Sequence, residues 1–545
     1  MTTDIQTLLI SLFEKILTAE EYQGFGQNVT LDFPTDQRFG DLSTNVAMRL
    51  AKFLKKPPNF IAKDLIERFT KELAHDQAHP FVSAVKVEGA GFINFYLSDA
   101  YFYERLSDII SRGKDALRVN IGKGKKVLVE FVSANPTGPL SVAHARQAVV
   151  GDALASVYAF SGFDVKREYY LNDEGNQINI LGNSVRLRLA QLNGQEVVYP
   201  EDHYQGDYII DMAREIKEKG ITVENFPEYA GSYILDIIRK ELDDFGVRFD
   251  CWYSQKSLRE SGMIEETLGV LRQKGFIYDQ DGAVWLKSTD FGDDKDRVVI
   301  KSDGSYTYLS PDIAYHREKF KRGYEFLINL WGPDHHGYIN RLKAAVAALG
   351  FDPQAVAIVI VQLATISRGG KPLHMSTRKG QYIMLREVLD EVGLDASRFF
   401  FVMRKTSSHL DFDLEVAKKQ TAENPVYYCQ YAHARISSIV RNSGISLEKC
   451  AVDYSLLKEK EELALIKKLW QFHSLLAICV ATQDPFMVTV YLQELAETFH
   501  KFYDKHRVLG QDEALSRARL ALVQATKTVL ATGLELLGVT CPEQM

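Results

Sequence analysis

The sequence predicts an α/β protein. A nucleotide-binding parallel sheet occupies its middle, a small mixed α/β domain precedes it, and an all-helical bundle follows. Three observations carry this expectation. The apolar run 127–132 reads as a buried parallel strand, and a Pro/Gly turn and a helical pattern from about 142 towards 160 come next. Strand-like runs at 298–300, 326–330 and 357–362 alternate with helical stretches, the pattern of a parallel sheet with ligands at the carboxyl ends of its strands. From about Asp395 onward almost everything has helical periodicity.

Each part has its own justification. Residues 5–17 are amphipathic, and Val85-Lys86-Val87 with Phe92-Ile93-Asn94-Phe95-Tyr96 reads as a hairpin closing a first domain, 1–112. The basic linker Gly122-Lys123-Gly124-Lys125-Lys126 introduces the apolar strand and a second domain, 120–395. Within it, 186–297 is polar and too long for a crossover, so it reads as an insertion. The third domain, 396–545, holds helical patterns at 461–480, 486–500 and 512–537. No internal repeat or low-complexity tract interrupts the chain.

Composition bounds the function. A chain of 545 residues should divide into about three or four domains. With 46% hydrophobic and 25% charged residues it has an ordinary globular composition. No stretch approaches about 18 unbroken apolar residues, so no transmembrane helix is expected. Met1-Thr2-Thr3-Asp4 lacks the basic and apolar regions of a signal peptide. Five scattered cysteines without a Cys-x-x-Cys pair argue for a reducing compartment and against structural zinc. A net charge of −7 does not announce a nucleic-acid partner, yet a local basic groove suffices for phosphate contacts.

The chemistry is concentrated in a few blocks. In Glu130-Phe131-Val132-Ser133-Ala134-Asn135-Pro136-Thr137-Gly138-Pro139-Leu140-Ser141-Val142-Ala143-His144, strand, turn and helix N-terminus make a phosphate site. His144 is placed there to stabilise phosphate charge, or is a buried histidine at a helix start. Lys371-Pro372-Leu373-His374-Met375-Ser376-Thr377-Arg378-Lys379-Gly380 is either a phosphate-closing basic loop or a solvated one. Tyr308 and Asp312, four apart, share a helix face, and Pro311 places that face at a helix N-terminus. Asp334-His335-His336 has metal-ligand residue types, but no third cluster converges with it, so no metal is expected. Gln362 borders an adenine pocket or is a satisfied buried amide.

These blocks resemble those of the arginyl-tRNA synthetases, and the resemblance covers essentially the whole chain. The first block is similar to the first signature of the class I aminoacyl-tRNA synthetases, and 371–380 looks like their mobile loop. Phe39-Gly40-Asp41-Leu42-Ser43-Thr44-Asn45-Val46-Ala47 resembles the family's additional domain, which docks the outer corner of tRNA. Tyr170-Leu171-Asn172-Asp173-Glu174-Gly175-Asn176-Gln177 matches the block after its first helix. The segments 408–414 and 424–435 resemble the start of its anticodon-binding bundle, and Cys541-Pro542-Glu543-Gln544-Met545 resembles its terminus.

The resemblance implies a class I synthetase core of Rossmann type and an arginine–tRNA ligase, cytoplasmic and monomeric. It would take ATP with Mg²⁺, L-arginine and tRNA-Arg, and use neither zinc nor a membrane. Its active site would be completed by tRNA. It implies catalytic roles for His144, Ser141, Arg378 and Lys379. ATP would meet Pro136, Thr137, Gly138, His144, His335, Met375 and Ser376. Arginine would meet Glu130, Asn135, Tyr308, Asp312, Asp334 and Gln255. Phe92 and Asn94 would face the tRNA D-loop, with Phe92 alternatively a core strand residue. Tyr428 and Tyr431 would stack anticodon bases or sit in the core, with Arg435 and Met545 beside them.

Three departures from the family pattern stand out. Ser141 and Ala143 replace the first His and the Gly of the His-x-Gly-His signature. His374 and Thr377 replace both lysines of the Lys-Met-Ser-Lys loop; Arg378 and Lys379 follow directly, and Lys125 or Lys126 could reach the phosphates from the other side. Gln255 stands where a guanidinium-facing Glu is expected. Such degenerate signatures also fit a catalytically weak tRNA-binding relative, the main alternative. A class I ligase for another amino acid is disfavoured by the Tyr308/Asp312 and anticodon blocks.

Overall fold

Residues 126–130 form the first strand of a five-stranded sheet in the computed structural model, which describes residues 5–23, 25, 29–34, 36–373, 383–447 and 451–545. Val127, Leu128 and Val129 have essentially no exposed surface, the near-continuous apolar pattern of a strand covered on both faces. The sheet runs Val356–Ile360, Phe326–Trp331, Lys126–Glu130, Asp164–Leu171, Cys251–Ser254, and every neighbouring pair is parallel. In chain order that is 5-4-1-2-3. The connections leave the first and fourth strands in opposite directions, so a crevice opens outside their carboxyl ends.

Three strands depart from the sequence expectation for this sheet. Arg297–Ile300 is not in it; it closes an antiparallel meander with Ala283–Leu286 and Ile277–Gln280. Of its residues only Val299 is fully buried, which suits a half-covered antiparallel strand. Conversely, Cys251–Ser254, inside the region read as an insertion, is the edge strand of the core. Asp164–Leu171 was hidden by its polarity: buried Glu168 is satisfied by Arg322 and Tyr315 rather than by being apolar. Among the described residues beyond Asp395 the regular structure is helical apart from Leu410–Asp413, which pairs in parallel with Ala364–Arg368.

Contacts divide the chain into two units. The larger holds 117–442, 471–500 and 526–545, and the smaller holds 1–116, 443–470 and 501–525. In the smaller unit, Leu42–Thr44, Phe92–Leu97 and Val82–Glu88 make an antiparallel sheet. Phe13 stacks on Phe69 at 4.8 Å, and both meet Phe95 of the sheet edge-on at 5.9 and 5.3 Å. Trp470 adds edge contacts to Phe33, Tyr101 and Phe102. The apolar stretch Lys460–Thr482 has the length and mean hydropathy, 1.4, to cross a membrane by composition alone. It breaks at Gln471 into Lys460–Trp470 and Phe472–Thr482, and Leu465, Ile466, Leu469, Leu475, Leu476 and Cys479 are packed core.

In the larger unit the helix Val142–Phe160 follows the first strand, and its buried residues surround the whole helix rather than one stripe. Gly151 lets it approach the strand end closely: a Cβ there would lie 2.3 Å from the Phe131 ring. Ala is worth about 1 kcal/mol more than Gly in a helix interior. Overpacking a dense core costs about 1–3 kcal/mol. Gly151→Ala is therefore expected to lower the thermal unfolding midpoint, and a raised midpoint would show that Phe131 can move aside.

Candidate active site

The chain leaves the first strand through Val132 and Ser133, both with left-handed backbone (φ 67° and 41°). This is rare for a non-glycine residue and costs most for β-branched Val. Ser133 is held by its neighbours: its hydroxyl donates to Glu130 Oε1 at 3.2 Å and accepts from the Tyr170 N–H at 3.1 Å. The turn continues through half-buried Asn135, whose amide donates to Gln177 Oε1 at 2.6 Å. Tyr208 braces Pro136-Thr137-Gly138, its hydroxyl donating to the Thr137 carbonyl at 2.8 Å. The Leu140 N–H donates to Glu241, and the Leu385 N–H to the Leu140 carbonyl.

Ser141 caps the helix Val142–Phe160 with extended backbone. Its N–H donates to His144 Nδ1 at 3.2 Å, and its hydroxyl lies at the same distance from that nitrogen. An accepting Nδ1 leaves the ring proton on Nε2. Burial pushes the His144 pKa down, so the ring is a neutral Nε2–H donor beside a helix N-terminus. Two residues on, fully buried Arg146 donates to the carbonyls of Gln362, Leu363, Lys405 and Ser408.

A second helix, Leu309–Lys321, runs antiparallel to the strand that follows it, so its N-terminus also reaches the carboxyl ends. Pro311 and Asp312 lie in its first turn, as their spacing predicts. Asp312 accepts from the Tyr338 hydroxyl at 2.7 Å. Burial raises its carboxyl to about 6, eased by that hydrogen bond. Tyr170 stacks on Tyr315 at 4.3 Å and donates to Gln255 Oε1 at 3.1 Å. The Gln255 amide in turn faces Glu174 at 3.4 Å. Tyr308, just before the helix, is 85% exposed. Glu130 is turned away from solvent towards fully buried Lys319, 2.5 Å from its Oε2.

Other residues fall elsewhere. Asp334 and His335 lie exposed in the short helix Pro333–Tyr338, 3.5 Å apart. Gln362 folds its side chain onto the Leu363 N–H. Met375, Ser376, Arg378 and Lys379 lie outside the described residues. Lys125 and Lys126 stand at the amino end of the first strand, roughly 16 Å from its carboxyl end, so they do not substitute for loop lysines. Among the described residues no group of three or more His, Cys, Asp or Glu is placed to hold a metal.

In the larger unit, Tyr428 and Tyr431 on Pro425–Ser443 are half-buried against the His500 ring at 4.9 and 6.0 Å. The Arg435 guanidinium lies 5.0 Å from the Tyr431 ring centroid. The chain end docks on the same helix through His433 to the Pro542 carbonyl and Gln430 to that of Thr540, leaving Met545 half-exposed. In the smaller unit, Phe92 is 40% exposed, whereas Asn94 is 3% exposed with its oxygen taken by Ser43. That burial fits a structural amide better than the D-loop contact implied for Asn94.

Sequence reasoning missed Tyr208, Tyr338, Arg146 and Lys319. The spacing of Asp312, His316 and Lys319, four and three apart, was a readable signal of one helix face. Nothing in the local sequence marks Tyr208.

Comparison with known proteins identifies the class first. The catalytic-domain family of class I tRNA synthetases (R) matches residues 105–440, which with the parallel core makes this a class I aminoacyl-tRNA synthetase. The arginyl tRNA synthetase N-terminal domain matches 3–97, and the DALR anticodon binding domain matches 429–545. The chain is 46% identical to an arginine–tRNA ligase of Syntrophotalea carbinolica, over 96% of each chain. It is 47% identical to one of Geobacillus thermodenitrificans, over 95% of this chain and 94% of that one. A Thermus thermophilus arginyl-tRNA synthetase structure shares the fold over 99% of this chain and all of its own, with a TM-score of 0.80 at 23% identity. The chain belongs to the arginyl-tRNA synthetase family and is an arginine–tRNA ligase.

The tautomer of His144 is directly measurable. Nitrogen-15 imidazole shifts are expected to show a neutral ring protonated on Nε2 at neutral pH, titrating below the usual histidine midpoint of about 6.5. Because the folded pKa is depressed, its stability contribution is present above about 6.5 and declines as pH falls below it. A neutral ring protonated on Nδ1, or a midpoint above the usual histidine value, would contradict this geometry.

Proposed function

We propose that the two helix N-termini at the strand ends divide the work of charging tRNA-Arg. The observation that carries this reading is their placement together outside the carboxyl ends of the first and fourth strands. One offers backbone N–H groups and the His144 Nε2–H to phosphates. The other offers a half-buried carboxylate, Asp312, to a guanidinium.

The reaction then needs no covalent enzyme intermediate. A carboxylate oxygen of arginine bonds to the α-phosphorus of ATP as the bond to the bridging oxygen breaks, and pyrophosphate leaves with the electron pair. A ribose hydroxyl at the tRNA 3′ end next attacks the acyl carbon, loses its proton, and releases AMP. The protein positions the reactants and cancels phosphate charge. Mg²⁺ would come with the nucleotide and supply further neutralisation of phosphate charge. Thr137 and Gly138, braced by Tyr208, lie where the nucleotide phosphates pass; Asn135 faces the amino acid's polar end, and Gln255 with Tyr170 walls the guanidinium side. Tyr431, Arg435 and Met545 form the anticodon side. We place the enzyme in the cytoplasm, in keeping with four described free cysteines.

Arginine-dependent ATP–pyrophosphate exchange in the presence of tRNA tests the reading. The guanidinium favours ionised Asp312, so binding releases a proton at low pH. Apparent arginine affinity should rise with pH through about 6 and level off above it. No exchange, with tRNA still bound, would instead mark a tRNA-binding relative.

In the smaller unit, residues 46–63 carry five cations and no carboxylate, in a chain of net charge −7. Lys52, Lys55, Lys56 and Lys63 are exposed there beside exposed Phe53 and Phe60. Lysines track phosphates and aromatic faces stack unpaired bases, so this patch serves the tRNA corner. Replacing Lys52, Lys55 and Lys56 by Ala should weaken tRNA binding and flatten its log–log salt dependence by roughly 0.7–0.9 for each phosphate no longer neutralised. An unchanged slope would remove the patch from the interface.

A further inference from the structure

The crossover between the second and third strands reaches back to the turn 136–140 at two points. Tyr208, in the first turn of the helix Asp207–Lys219, donates its hydroxyl to the Thr137 carbonyl at 2.8 Å. Glu241, in the last turn of the helix Phe226–Asp244, accepts from the Leu140 N–H at 2.9 Å. Burial pushes the Tyr208 phenol well above its ordinary range, so it keeps the proton it donates. The same ring lies along Gly138, where a Cβ would sit 3.2 Å from the phenol oxygen and 3.3 Å from Cζ.

Most donors of this turn are taken within the protein. The Thr137 N–H goes to the Asn135 carbonyl at 2.7 Å, that of Leu140 to Glu241, that of Ser141 to His144 Nδ1, and that of Val142 to the Ile383 carbonyl at 3.1 Å. Pro136 and Pro139 have no N–H. Among the described residues no acceptor meets the N–H of half-buried Gly138. That N–H is the other half of the peptide unit whose carbonyl Tyr208 holds. The unit is trans, so its N–H points opposite to its C=O. Fixing the Thr137 carbonyl on the phenol therefore aims the Gly138 N–H away from Tyr208.

Resting on the reading above, we propose that the Gly138 N–H is the donor this turn reserves for a phosphate of the nucleotide, and that Tyr208 is its positioning residue. Tyr208 touches no reactant; it sets the plane of the 137–138 peptide. Glu241 fixes the 139–140 peptide in the same way, so the short span between them has little freedom to rotate. A donor already aimed stabilises phosphate charge without reorienting during the reaction, and small misplacements cost rate steeply.

The test uses Tyr208→Phe, which removes the phenol oxygen alone. In arginine-dependent exchange with tRNA, kcat/KM for ATP should fall by about tenfold, against about 10²–10³ for a donor removed outright. KM for arginine should not change. Equilibrium binding of ATP should weaken, whereas that of adenosine, which carries no phosphate, should not. Glu241→Leu should act in the same sense. Glu241→Gln, whose amide oxygen still accepts the Leu140 N–H, should restore the wild-type ATP parameters. An unchanged kcat/KM for ATP in Tyr208→Phe would overturn the proposal. So would equal losses for ATP, arginine and adenosine, the mark of a merely structural role. Tyr208→Phe decides the matter even where Glu241→Leu fails to fold. A wild type that does not exchange at all would count against the ligase reading, and the comparison of ATP with adenosine would still judge Tyr208.

Discussion

Arg398 is the constraint on which the larger unit depends. Its guanidinium has no exposed surface and cannot shed its charge. Three distant parts of the chain must therefore converge on it. Nη2 bonds Asp152 on the helix Val142–Phe160, Nη1 donates to the Phe245 carbonyl at 2.8 Å, and Nε donates to that of Leu537 at 2.7 Å. Asp152 also receives Arg167 from the second strand. Breaking such a buried pair costs about 3–5 kcal/mol. The end of the chain is shaped to it as well: Gly538 has φ 67°, and a Cβ there would lie 2.3 Å from Arg398 Nη2.

With that helix fixed, Arg146 on it organises the loops beyond the last strand. It meets four carbonyls and no carboxylate, and burial lowers its pKa only to about 10. It remains a cation at neutral pH, and its donors hold 362–363 and 405–408 in place. The turn before the helix is held by Tyr208, Glu241 and the bridge between Ser141 and Met384. Strain of order 1–3 kcal/mol at each of Val132 and Ser133 persists only in so determined a setting. The turn is thus held in shape by the chain's own contacts.

Much of this was legible in the sequence. The strand–turn–helix at 127–160 was readable because its apolar residues are buried on all sides, and Pro311 marked the start of its helix through fixed φ and a missing donor. Elements stabilised by polar burial were not legible. The second strand carries Lys166, Arg167 and Glu168; Arg167 is met by Asp152 from the preceding helix, and Glu168 is satisfied only because Tyr315 and Arg322 arrive from 147 and 154 residues along the chain. The same holds for the site: His144 follows from local spacing, whereas Lys319 and Tyr208 act through partners 189 and 71 residues away.

The altered first signature follows from how His144 is oriented. The group that fixes its ring is the backbone N–H of residue 141, which any residue but proline supplies. In the proposed role, His144 therefore keeps its neutral Nε2–H donor whatever side chain precedes it, and Ser141 adds a hydroxyl 3.2 Å from the same nitrogen. What a histidine at 141 would add is a second donor of its own to the phosphates. Removing one preorganised donor costs about 10²–10³ in rate, but a helix N-terminus retains its backbone donors and dipole. Ser141 therefore trims one contact of several, and the remaining donors are backbone groups and a ring that the fold itself orients.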